Sequence, residues 1–187
     1  MIAIILQGIV RDGVTTWMPS FIAETFKLSN EISILTGIVL PVFSILCFQA
    51  TERLYDKKLK NPLTCSAVIF GTGSIAGVLL LILSAKNAAV SVFLSALLTG
   101  SMHGVNLMLI SILPPLLADK GRVSAVSGIL NTCTYVGSAL SAYLIPVVTE
   151  ASGSWSTTLL LWFLSAFIGT LICLFSIPSW KKRMHKA

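Results

Sequence analysis

In the first apolar stretch of the chain, 1–22, Gln7, Arg11 and Thr15 recur every four residues, which puts them on one face of a helix. Arg11 is the telling member. At 1.5 Å per residue it lies about 15 Å along such a helix, near the middle of a hydrocarbon layer roughly 30 Å thick. A guanidinium at that depth costs about 3 kcal/mol or more, so intramembrane arginines face a bundle interior or a wet cavity. The group cannot shed its charge, and its planar fork takes two phosphate or carboxylate oxygens at once. Arg11 therefore points to an anion site inside a membrane bundle. Two plainer readings stand beside it: an ion pair with an acidic residue of a neighbouring helix, or a snorkelling arginine on a segment at another depth. Asp12, turned about 100° from Arg11 around the helix, is expected to be a poor partner for it.

A second polar face lies further on. His103 and Asn106 share a helix face at i, i+3, and a histidine in such a place serves either as a neutral hydrogen-bonding group or as a proton carrier. Ser127, Asn131, Thr134, Tyr135 and Ser138 form another stripe. Stripes of this kind serve as hydrogen-bonding glue between helices. Beside an intramembrane arginine they also fit the lining of a water-filled path.

The elements that must carry these residues follow from composition. Hydrophobic residues make up 55% of the 187 and charged residues 11%, against about 25% charged in ordinary soluble domains; mean hydropathy is +0.90. No stretch alternates apolar and polar residues as a membrane barrel strand does. Apolar windows of helix-spanning length recur over about 1–22, 31–50, 62–84, 89–113, 123–148 and 156–178. The expectation is an all-α membrane protein, residues 1–187 forming a single bundle of six transmembrane helices with no soluble domain. Spans 62–84 and 156–178 are apolar all round and are expected at the lipid-facing periphery. The small-residue pairs Gly73/Gly77, Gly100/Gly104, Ser124/Gly128 and Gly137/Ser141 mark expected close helix contacts, and Pro19, Pro41 and Pro146 expected bends.

Charge sets the orientation. Arg53, Lys57, Lys58, Lys60, Lys120, Arg122, Lys181, Lys182, Arg183 and Lys186 fall on one side of such a bundle, against Lys27 and Lys86 on the other. The positive-inside rule makes the first side cytoplasmic, with both termini there and the opposite loops near Lys27, Lys86 and Ser152. The expected location is the plasma or inner membrane. The net charge of +6 and pI of 9.4 then belong to topology, and no nucleic-acid partner is implied because the basic residues sit in short juxtamembrane segments. No basic run precedes the first span, as a secretory signal would require, and that span starts at Met1 as though a preceding segment were missing. Cys47, Cys65, Cys133 and Cys173 are isolated within spans, so neither a metal site, a cofactor nor a disulfide is implied.

Arg11-Asp12-Gly13-Val14-Thr15-Thr16-Trp17-Met18-Pro19-Ser20-Phe21-Ile22 resembles the seventh-helix motif of the organophosphate:phosphate antiporters. These are the glycerol-3-phosphate and hexose-phosphate carriers of the major facilitator superfamily. That motif reads approximately Arg-Tyr-Gly-x-x-Asp-Trp-x-Pro-x-Tyr-Leu; Arg11, Gly13, Trp17 and Pro19 match it, while Asp12 replaces its Tyr and Thr16 its frequent Asp. Thr51-Glu52-Arg53 resembles the superfamily's cytoplasmic loop motif, with Phe48 in place of its glycine, and Ser127-Gly128, Tyr135 and Gly137 resemble the Gly-rich eleventh helix. The resemblance implies the C-terminal six-helix half of a carrier with a 3+3 inverted repeat. It implies that Arg11 contacts the phosphate of an organic phosphate, and the polar faces add Gln7, Thr15, His103 and Asn106 as candidates for the substrate-binding set. Such a substrate would be moved in exchange for inorganic phosphate by alternating access.

The same resemblance implies a partner, an N-terminal six-helix half supplying a second arginine, with a homodimer as the second choice. A membrane sensor that binds without transporting, or an inactive carrier remnant, is the alternative. An intramembrane serine protease is excluded, because Ala125-Val126-Ser127-Gly128 lacks the first glycine of a nucleophile motif and the one histidine after Ser127 is His185, in the tail.

Overall fold

A helix too polar to face lipid sits at the centre of the bundle. In the computed structural model, which describes residues 1–117 and 123–184, α1 (Ile2–Phe26) is covered along Val10, Val14, Met18, Phe21 and Ile22. It packs against α5 (Ala88–Asn106), α7 (Val123–Ser152) and α8 (Trp155–Met184). On the far side of α5 lie α3 (Val39–Leu54) and α4 (Pro62–Leu83), and α4 also packs along α8. Short helices α2 (Asn30–Thr36) and α6 (Leu113–Leu117) complete the described chain. Lys120, Arg122, His185 and Lys186 lie outside the described residues.

Five helical stretches among the described residues are long and apolar enough to cross a membrane: Glu31–Leu59, Pro62–Leu83, Ala88–Leu116, Val123–Ser152 and Trp155–Lys182. Although α1 has 25 residues, Gln7, Arg11, Asp12 and Glu24 lower its hydropathy below theirs. Packing among three neighbours buries Gln7 and part-buries Arg11 and Asp12, while Glu24 lies exposed near the end of the helix.

The helices end and break where backbone chemistry requires. The expected span 31–50 is interrupted at Gly37–Ile38 and continues helically to Leu59. Pro41 has no N–H to give the Gly37 carbonyl; that carbonyl accepts instead from Leu40 N at 3.2 Å, within a tighter turn. Asn61 caps α4, its Oδ1 accepting from Leu63 N at 3.0 Å and Thr64 N at 3.3 Å, with Pro62 at the first position. Beyond α5 the chain widens into a π-helical segment, Leu107–Ile112. Pro114 and Pro115 follow, so the Ile110 carbonyl has no helical donor, and Ser127 of α7 donates to it at 3.4 Å.

Close approach is built from glycines. A side chain at Gly8 would strike the Thr134 carbonyl of α7, and one at Gly137 the Ile5 carbonyl and the Ile9 nitrogen of α1. These two glycines therefore let α1 and α7 meet backbone to backbone.

One expectation is corrected. α4 is not peripheral: half of its most apolar window is buried, between α5 and α8, while the Glu31–Leu59 stretch is the least covered at 17%. All-round apolarity suits contact with helices as well as with lipid, so it does not decide between them.

Candidate functional site

The α1–α5 packing fixes the register of the polar groups. Gln7 Nε2 donates to the Met102 carbonyl at 3.1 Å, and Thr99 Oγ1 donates to the Arg11 carbonyl at 3.1 Å. As α1 advances from 7 to 11, α5 therefore recedes from 102 to 99, and the two helices run antiparallel. Thr15 Oγ1 donates to the same Arg11 carbonyl at 2.7 Å and lies 3.3 Å from Thr99 Oγ1.

On this frame Arg11 and Asp12 form a two-point ion pair. Arg11 Nε lies 2.6 Å from Asp12 Oδ1, and Nη2 lies 2.8 Å from Oδ2. This corrects the expectation that Asp12 would be a poor partner. The 100° between adjacent side chains is spanned because the arginine stem is long enough to fold around the helix and present its fork edge-on. Ser138 of α7 also donates to Asp12 Oδ2, so the carboxylate is held from a second helix. The pair is part-buried, with 16% and 27% of the side-chain surfaces exposed. It is the one ion pair found among the described residues. His103, half-buried on α5 with its ring 6.3 Å from that of Phe48, lies within electrostatic reach of both charges.

The expected set is thus divided. Arg11 and Thr15 come together with Thr99 of α5, and His103 stands nearby. Gln7 faces inward instead, completely buried, with Oε1 left without a hydrogen-bond partner. Register places Asn106 level with the first turn of α1, about 10 Å along the axis from Arg11 at 1.5 Å per residue. Glu52 and Arg53 are corrected from a loop to the last turn of α3, where both are exposed. Just before them, the Thr51 hydroxyl bonds the Cys47 carbonyl at 2.7 Å. Thr99, which meets Arg11 and Thr15, carries one signal in the sequence, its i, i+4 spacing to His103.

The face carrying the pair continues into open surface. Thr15, Thr16 and Asn131 are exposed, as are Tyr135 at 62% and Tyr143 at 70%. The bundle ends carry separate clefts. One of ≈ 370 Å³ lies among Trp17, Glu24, Glu150 and Trp155, where Trp155 Nε1 donates to Glu24 Oε2 at 2.8 Å. Another of ≈ 300 Å³ at the opposite end is lined by Tyr55, Lys60, Trp180 and Lys181.

The geometry defines a membrane-helix bundle with a charged helix packed among its neighbours through glycines, and comparison with known proteins gives it a family. Residues 1–142 match the family model of the Major Facilitator Superfamily, and the chain belongs to that family. The chain is similar to YvkA, an uncharacterized MFS-type transporter of Bacillus subtilis (strain 168), at 27% identity over 176 residues. The similarity covers 92% of this chain and 38% of YvkA, so the chain spans well under half of that relative's length. No solved structure matches the chain.

Proposed function

We propose that this chain is the C-terminal six-helix half of a secondary carrier for an organic phosphate, with Arg11 binding the phosphate. On this reading α1 crosses the membrane with the other five stretches, the six spans form a 3+3 inverted repeat, and the end bearing Lys60 and Lys181 is cytoplasmic. The observation that carries the proposal is the Arg11 fork, engaged at 2.6 and 2.8 Å by two oxygens of one carboxylate on a helix at the centre of the bundle. Two oxygens of a phosphate monoester present the same edge to a guanidinium. Supporting it are the open polar surface of α1 and α7 beside the pair, and the family membership. Exchange against inorganic phosphate is the transport mode this reading adopts from the antiporter resemblance.

Alternating access needs two bundles rocking about a shared site. The partner is therefore an N-terminal six-helix half, covering Thr15, Asn131, Tyr135 and Tyr143. Counterflow of labelled phosphate in liposomes tests this. Uptake is expected when the chain is reconstituted with such a half and not when it is reconstituted alone. Robust counterflow from a demonstrated monomer of this chain overturns the half-carrier reading.

A further inference from the structure

Asp12 occupies the place that a substrate phosphate would take. Its two oxygens hold Nε and Nη2 of Arg11 at 2.6 and 2.8 Å, leaving one guanidinium nitrogen for anything else. The carboxylate is not a loose counter-ion, because Ser138 of α7 fixes one of its oxygens from across the helix contact. The antiporter motif that this stretch resembles has a tyrosine there, which carries no charge to compete with a substrate, so the competition is a property of this chain.

We infer that Asp12 makes the site bind its anion together with a proton. The inference rests on the reading of Arg11 as the anion-binding residue. A phosphate approaching Arg11 meets an ionised carboxylate already on the fork, and two anions on one guanidinium in a part-buried site repel strongly. A proton placed on an Asp12 carboxyl oxygen removes the repulsion, breaks the two-point pair and frees Nε and Nη2 for the phosphate. The neutral carboxyl keeps a partner, since Ser138 can hydrogen-bond it as well as the carboxylate. The balance is simple: one proton enters with one anion and leaves with it.

The groups around the pair are few. α1 itself supplies Arg11, α5 supplies His103, and α7 supplies the Ser138 hydroxyl. α8 brings Trp162 to this level, against Gly13, and carries no charged residue before Lys181. Glu31 of α2 lies toward the opposite end of α1, since Thr36 of that helix meets Met18. Asp12 and His103 are therefore the two candidates for the proton. Asp12 is assigned it because the carboxylate directly blocks the guanidinium.

The test is equilibrium binding of sulfate, an oxyanion whose charge does not change between pH 5.5 and 8, to the purified full chain in detergent. The parent is expected to bind at least tenfold more tightly at pH 5.5 than at pH 8. Calorimetry in buffers of different ionisation enthalpy is expected to register uptake of about one proton per sulfate. Asp12→Asn is expected to bind equally at both pH values with no proton uptake, and Arg11→Ala not to bind. Where Asp12→Asn fails to fold, proton uptake by the parent and by His103→Gln decides. Uptake surviving in His103→Gln supports Asp12, and uptake lost there overturns it. Sulfate binding that requires Arg11 but takes up no proton overturns the Asp12 inference and leaves the proposed function standing. Absence of oxyanion binding in both the parent and Asp12→Asn overturns both.

Discussion

Arg11 was legible in the sequence as the residue to explain, because a lone guanidinium in an apolar span has few permissible surroundings. Its partner was not. Helix-wheel spacing describes where Cβ atoms point, and a side chain with a long flexible stem is free to leave that direction, as Arg11 does to reach Asp12. Gln7 is buried against α5 rather than on the open face for a related reason: the spacing that aligned Gln7 with Arg11 carries no information about which neighbour covers which turn. Its buried Oε1 lacks a partner. Gln7→Leu is accordingly expected to change stability by no more than about 1 kcal/mol, since the lost bond to Met102 is offset by removal of an unsatisfied acceptor. Gln7→Glu is expected to lower thermal stability clearly, by burying a charge. Unfolding in detergent measures both. A large destabilisation by Gln7→Leu would mean that the bond to Met102 contributes more than membrane hydrogen bonds usually do.

At the scale of helices, the small-residue pairs report capacity for contact and nothing about its use. Gly100, Gly104 and Gly137 each face a neighbouring helix at a separation that a side chain would violate, Gly77 is tight against Phe163, and Gly73 meets the flexible end of Met102, whereas Gly128 has open space within 4 Å. Gly8, which belongs to none of the marked pairs, also lies directly against the backbone of a neighbouring helix. Gly137→Leu is therefore expected to destabilise the bundle by about 3 kcal/mol or more, at the upper end of overpacking costs, because backbone atoms of Ile5 and Ile9 cannot move aside as side chains do. Gly128→Leu is expected to be neutral within about 0.5 kcal/mol. Thermal unfolding of the two variants side by side makes the comparison, and equal effects would contradict the packing of α1 on α7. Proline was readable in the same way. Pro41 breaks the second stretch because the Gly37 carbonyl loses its donor, although the extension of helix through Tyr55–Leu59 left no comparable mark.

For the whole molecule, the charge bias sorts the connections into two sets, and members of each set line clefts at opposite ends of the bundle. Lys60 and Lys181 meet around one cleft, while Ser84 and Ala85, just before Lys86, meet Gly153 and Trp155 around another at the far end of α1. The proposed orientation predicts that a cysteine placed at Lys86 reacts with an impermeant maleimide added outside cells, and one at Lys58 only after the membrane is opened. Labelling of position 58 from outside reverses the topology. Burial could not be ranked from the sequence at this scale, because α3, α4 and α8 are all strongly apolar and only their neighbours distinguish them.

The Arg11 fork as a binder of phosphate oxygens is tested most directly by binding of glycerol 3-phosphate to the purified chain at pH 5.5. Arg11→Lys keeps the charge and loses the two-point geometry. Measurable affinity is expected in the parent, a loss of tenfold or more in Arg11→Lys, and none detectable in Arg11→Ala. Equal binding by all three, in variants that unfold at the parent's temperature, would contradict it and place the site elsewhere in the bundle.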